Sequence, residues 1–133
     1  MTRRYLLIFV AILSGCGRTP EDLNKLLPRE VPGGWTLAES QPAHAASLPG
    51  DVAGMDWKAS VSATYRGPQN INVLLTQFNT DASAFELMQR WRQSEGIAFH
   101  KGPYFVICRA RGNDFTQVSQ FARAFQGAFS PQR

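Results

Sequence analysis

The ten residues Trp57-Lys58-Ala59-Ser60-Val61-Ser62-Ala63-Thr64-Tyr65-Arg66 alternate without a break, apolar or aromatic at odd positions and polar at even ones. Successive side chains of a β-strand point to opposite faces, so this stretch predicts a strand with one buried and one wet face. Gly67-Pro68-Gln69-Asn70 supplies turn chemistry, and Ile71 to Phe78 returns as a second, more apolar strand. The connection is too short for a parallel crossover, so the two strands are expected to pair as an antiparallel hairpin.

Beyond the hairpin, Thr80 or Asp81 caps a helix expected to run to about Ser94. Ala84, Leu87, Met88 and Trp91 recur at helical spacing, with Phe85 alongside and Gly96 as a stop. Ile97 to Phe99, a turn at Lys101-Gly102-Pro103, and Tyr104 to Ala110 predict a second hairpin. Asp114 with Gln117 has the spacing of a capping pair, and Val118, Phe121, Ala122, Phe125 and Phe129 form the strongest amphipathic stripe in the chain. Ahead of the first hairpin, Thr19-Pro20 and Asp22 open a short helix that places Leu23, Leu26 and Leu27 on one face and ends at Pro28. Val31-Pro32-Gly33-Gly34 is a turn into a short strand at Trp35 to Glu39, and Gln41 to Gly54 reads as a surface loop. This order predicts an α+β fold, a mainly antiparallel sheet with helices packed on one face. Lys58, Ser60, Ser62, Thr64 and Arg66 would lie on the other face.

The start of the chain carries a different signal. Arg3 and Arg4 precede the apolar run Tyr5 to Leu13, which is followed by Ser14, Gly15 and Cys16. The run is about half of the ~20 apolar residues that a spanning helix needs. Leu13-Ser14-Gly15-Cys16 resembles the lipobox of bacterial lipoproteins. That resemblance implies cleavage between Gly15 and Cys16, acylation of Cys16, and membrane association through the lipid in the cell envelope. Gly17, rather than Asp, after the cysteine implies the outer membrane, facing the periplasm, in a two-membrane cell. The chain is then expected to divide into a signal peptide (1–15), a lipidated tether with a short helix (16–34) and one α+β domain (35–133). Gly34-Trp35, the Ala84-Phe85 helix and Gly102-x-Tyr104 resemble features of small envelope lipoproteins carrying domains of unknown function. The strand and helix order is similar to that of the PsbP and Mog1 type of α+β domain. Both resemblances imply the fold and leave the activity open.

Charge and residue chemistry narrow the classes of function. The 133 residues hold 14 Lys and Arg against 10 Asp and Glu; without Arg3 and Arg4 the basic count is 12, a balance of +2. The basic residues are scattered, and Arg109 with Arg111 on one strand face is a poor phosphate track, so nucleic-acid binding is disfavoured. With Cys16 acylated, Cys108 has no disulfide partner and sits in an apolar strand as a small hydrophobe. His44 and His100 lie far apart with no HExxH pattern or paired cysteines, so no metal site is expected, and no cofactor is implied. No Gly-x-Ser-x-Gly elbow or phosphate-binding loop is present in the sequence. If the domain opens a groove, Trp35, Trp57, Tyr65 and Tyr104 are the expected walls, because aromatic rings combine large contact area with a polar tip. The leading expectation is a lipid-anchored, non-enzymatic accessory or binding module of the envelope. The alternatives are a small hydrolase or transferase built from His44, Asp51, Asp56 and His100, and a structural subunit of an envelope assembly with a protein partner.

Overall fold

The computed structural model describes residues 23–92, 96–112 and 114–131. The elements are β1 (Glu30–Val31), β2 (Trp35–Pro42), α1 (Gly50–Ala53), β3 (Trp57–Arg66), β4 (Ile71–Phe78), α2 (Asp81–Arg90), β5 (Ile97–Lys101), β6 (Tyr104–Ala110) and α3 (Phe115–Ala128). The strands form one six-stranded sheet in the order β1-β2-β3-β4-β6-β5, and every pairing in it is antiparallel. The fold is α+β.

Register explains how the sheet builds its two faces. Val61 pairs with Leu75, Leu75 with Val106, and Val106 with Phe99, so one apolar row crosses four strands. Ala63, Val73, Cys108 and Ile97 form the next row on the same side. Against this first face lies α3, whose Val118, Phe121, Ala122, Phe125, together with the following Phe129, are all buried. The N-terminal Leu23, Leu27 and Val31 join the same core. Most of its rings pack edge-on or tilted, as in Trp35–Phe121 and Tyr65–Phe121 at 5.2 Å, Tyr65–Phe125 at 5.8 Å, and Tyr104–Phe129 at 6.0 Å, while Phe125 and Phe129 stack at 5.6 Å.

The intervening positions make the second face. Leu74, Ile107 and Ala98 share one row with Ser62, while Thr76, Phe105 and His100 share another with Ser60. Here α2 supplies Ala84 and Leu87, and the segment after β2 supplies Leu48 and Val52, to a core containing Phe78, Trp91, Phe105 and Ile107. The two long helices therefore lie on opposite faces, and the expectation that helices share one face is corrected. The cause is visible in β6, where Tyr104 to Cys108 are all buried: a strand covered on both sides reads as an unbroken apolar run. Ser60 is likewise not on a wet surface. It is 1% exposed, and its hydroxyl hydrogen-bonds Thr76 Oγ1 at 2.8 Å.

Local chemistry sets the ends of the helices. The Thr80 hydroxyl accepts the Ser83 N–H at 3.1 Å and the Asp114 carboxylate accepts the Gln117 N–H at 3.1 Å, each satisfying an otherwise unpaired helical donor. At the far end of α3, Lys101 Nζ donates to the carbonyls of Gln126 (2.9 Å) and Phe129 (2.7 Å), a cation at the negative helix terminus. Helix α2 ends at Arg90 rather than near Ser94. Trp91 turns extended, buries its indole 5.6 Å from Phe105, and donates from Nε1 to Gly96 O at 2.9 Å.

Three other boundaries differ from expectation. The strand at Trp35 continues to Pro42, and the loop at 41–54 contains a 3-10 turn at Ala45–Ser47 as well as α1. Apolar Leu48 and Val52 hold that segment against the second core. The folded domain reaches back to Leu23, so residues 23–34 of the segment read as a tether are built into it.

Candidate functional site

Three of the four rings expected to wall a groove are core. Trp35 is 3% exposed and donates from Nε1 to Gln69 O at 2.9 Å, linking β2 to the β3–β4 turn. Gly67 is required beneath it, since a Cβ there would stand 2.5 Å from Trp35 Cδ1 and 2.7 Å from Gly34 O. Tyr65 is fully buried, with its hydroxyl donating to Pro28 O at 2.7 Å, and Tyr104 is packed on Phe129. Trp57 is half-buried and lies with the second core, away from the other three. Burial raises the Tyr65 phenol above its ordinary range, and the nearby Cys108 adds to the effect. Burial also raises the Cys108 thiol, which keeps it in the protonated, unreactive form.

The residues considered for acid–base chemistry occupy separate settings. His44 precedes the 3-10 turn and Asp51 lies in α1, and both are exposed. Exposed Asp56 works with the start of α2: its carboxylate and its carbonyl both accept from Asn79 Nδ2, at 3.2 and 3.0 Å. The Ser83 side chain and then Asn79 lower the Asp56 carboxyl below its ordinary range by hydrogen bonding. His100 sits on the second face with its ring 5.7 Å from that of Phe85, and its Nδ1 is buried without a hydrogen-bond partner. No hydrogen bond joins any two of these four residues. Among the described residues no group of three His, Cys, Asp or Glu side chains could hold a metal ion. Gly15 and Cys16, the expected processing and lipidation positions, lie outside the described residues.

Register also assembles a group that residue spacing alone did not reveal. Thr64 pairs with Asn72, and Asn72 with Arg109, so these three share a row of the second face. Tyr65, Ile71 and Ala110 align in the next row, which sets Arg66 level with Arg111 one step further on. Gln69 Nε2 donates to Arg111 O at 3.2 Å and ties that end of β6 to the β3–β4 turn. Arg66, Arg109 and Arg111 are all exposed. In the row that Arg109 shares, Thr64 Oγ1 donates to Asn72 Oδ1 at 3.3 Å, and Glu39 of β2 stands opposite Thr64 at the row's other end. The available sequence signal was parity: Arg66 is even on a strand whose odd residues are core, and Arg109 and Arg111 continue the odd series of β6.

The site and fold together define a small α+β domain with two separate cores. Comparison of the chain with protein-family models, curated proteins and solved structures gives no match. No helix among the described residues is long and apolar enough to cross a membrane.

Proposed function

We propose that this chain is a lipid-anchored protein of the bacterial cell envelope whose folded part acts as a non-enzymatic accessory or binding domain. The observation that carries the reading is Leu13-Ser14-Gly15-Cys16 placed directly behind two arginines and an apolar run. A short apolar signal followed by a cysteine suits processing and acylation better than permanent insertion, and two or more acyl chains give stable anchoring. Gly17 after the cysteine favours the outer membrane, facing the periplasm. The binding role, rather than a catalytic one, is supported by the placement of the candidate acids and bases. Asp56 organises the start of α2, His100 lies edge-on to Phe85, and His44 and Asp51 are solvated.

The test is intact-mass measurement of the protein from membrane fractions, compared with Cys16→Ala. The expected outcome is a wild-type chain beginning at Cys16 and carrying acyl mass, with Cys16→Ala neither acylated nor cut there. Recovery of the wild-type chain with Met1 intact and no acyl mass overturns the proposal.

A further inference from the structure

We infer that the free edge of β5 pairs antiparallel with β5 of a second copy of this chain, joining two six-stranded sheets into one across a two-fold axis. β5 ends the sheet and has a neighbour, β6, on one side only. The Phe78 N–H donates to Pro103 O at 2.8 Å, so Pro103 faces β4 and the next residue, Tyr104, turns its backbone groups toward β5. Tyr104, Val106 and Cys108 therefore bond Lys101, Phe99 and Ile97 across the hairpin. The N–H and C=O groups of Ala98 and His100 point the other way, out of the sheet. Among the described residues none of these groups has a hydrogen-bond partner.

The opposite edge is defended and this one is not. There β2 carries a bulge between Leu37 and Glu39, ends at Pro42, and is partly covered by the two-residue β1. Glu30 and Glu39 add exposed charge. Bulges, prolines, charges and very short strands all obstruct the addition of another strand. β5 has an unbroken register from Ile97 to Lys101 and contains neither proline nor acid. Its lysine is turned aside, with Nζ held by the carbonyls of Gln126 and Phe129. Beside the open edge, on the second face, stands Phe85, 52% exposed and 5.7 Å from the His100 ring. With one edge open and the other blocked, pairing closes at two copies instead of growing into a filament.

A second copy of β5 fits this edge in one register. A two-fold axis at Phe99 sets His100 opposite Ala98 of the second copy and Ala98 opposite its His100. Each of these pairs exchanges two N–H···O bonds, so every outward group of both strands is satisfied. The side chains agree with that register. The imidazole meets a small alanine, Phe99 meets its own counterpart on the first face, and Lys101 meets Ile97, so no like charges oppose one another. A flexible peptide offers the same backbone bonds but must be ordered to make them. β5 of a second copy is already held by its own ladder with β6, so it binds without that cost.

The experiment follows the full chain in mild detergent by sedimentation and by residue-resolved amide hydrogen exchange along β5. The pairing does not depend on the lipid anchor, so the state of Cys16 leaves the outcome unchanged. As concentration rises, the protein mass should double, and exchange at Ala98 and His100 should slow together by roughly tenfold or more. Ile97, Phe99 and Lys101, bonded to β6, should exchange slowly throughout. A monomer at every concentration up to about 1 mM overturns the proposal. Slow exchange at Ala98 and His100 in the monomer also overturns it, because the chain then covers its own edge. A dimer in which those two amides stay fast overturns it in favour of another interface. His100→Pro removes one outward donor and leaves every bond to β6 in place, so it should abolish the dimer. Proline also constrains β5 itself, so Phe85→Glu, at an exposed position, is measured beside it and should weaken the dimer roughly tenfold. Unchanged dimer affinity in both variants overturns the proposal.

Discussion

The two faces of this sheet solve the same burial problem with different completeness. The first is a continuous aromatic core: α3 lays Phe121, Phe125 and Phe129 across rows drawn from four strands, and the N-terminal leucines close its edge. The second is dry only where α2 and the segment carrying Leu48 and Val52 cover it. Toward β2 and β3 it turns into threonine, serine, asparagine and arginine. One face accounts for most of the aromatic packing, while the other divides its area between a smaller core and an exposed polar strip.

The largest expected break in that comparison comes from a ring on each side. Phe125 is fully buried and touches the rings of Tyr65, Phe99, Phe121 and Phe129. Phe125→Ala should cost about 3–5 kcal/mol, the lost transfer energy plus an unfilled cavity. Phe85 is 52% exposed on α2 and leans on His100 alone among the rings, so Phe85→Ala should change stability by no more than about 0.5 kcal/mol. Urea unfolding of both variants checks the pair. Comparable losses would mean that the second face depends on α2 far more than its burial implies.

The difference between the faces also decides what was legible in the sequence. Strict alternation fixed the bounds of Trp57 to Arg66 and its partner Ile71 to Phe78 to the residue, because turn chemistry separates them and Ala59, Val61, Ala63 and Tyr65 all face the first core. It did not reveal the register shift between Trp57 and Ala59 that leaves Trp57 with the second. The stripe from Val118 to Phe129 and the Asp114 cap were equally plain. Alternation in one strand, however, says only that a face is buried, not which helix buries it. The side of α2 was legible only in the unbroken run Tyr104 to Cys108, which calls for cover on both sides. A two-residue strand such as β1 is too short for any periodicity. The rings of Trp35, Tyr65 and Tyr104 were visible as aromatics, but their hydrogen bonds to Gln69 and Pro28 arise from contacts more than thirty residues apart.

A second, smaller effect sharpens the contrast through alkaline pH. Cys108 is fully buried on the first face, and its thiol stays protonated where an unfolded chain would release the proton. The folded state then holds more protons than the unfolded one. Stability should therefore be flat below the unfolded thiol's pKa, about 8.5, and fall above it by roughly 1.4 kcal/mol per pH unit. Tyr65 adds a similar slope once the unfolded phenol begins to ionise, near 10. Cys108→Ala should remove the earlier slope and keep the later one, whatever its effect at neutral pH. Urea midpoints across that range read the slopes directly, and an unchanged profile in the variant would show that the thiol is not the titrating group.

The smallest effect belongs to the other side and has the opposite sign. Ser83 and Asn79 hold the Asp56 carboxyl below its ordinary range at the start of α2. A group with a depressed folded pKa contributes stability that is present above its unfolded pKa and lost as pH falls through the folded one. The site is exposed, so solvent screening keeps the contribution modest. Asp56→Asn should flatten the acid limb of the stability curve and leave the alkaline limb of Cys108 and Tyr65 unchanged. That separation follows because the two groups report on different cores, and distant sites without shared partners add independently. A variant that moved both limbs together would instead show the two faces unfolding through one shared contact network, and the division drawn between them would lose its energetic meaning.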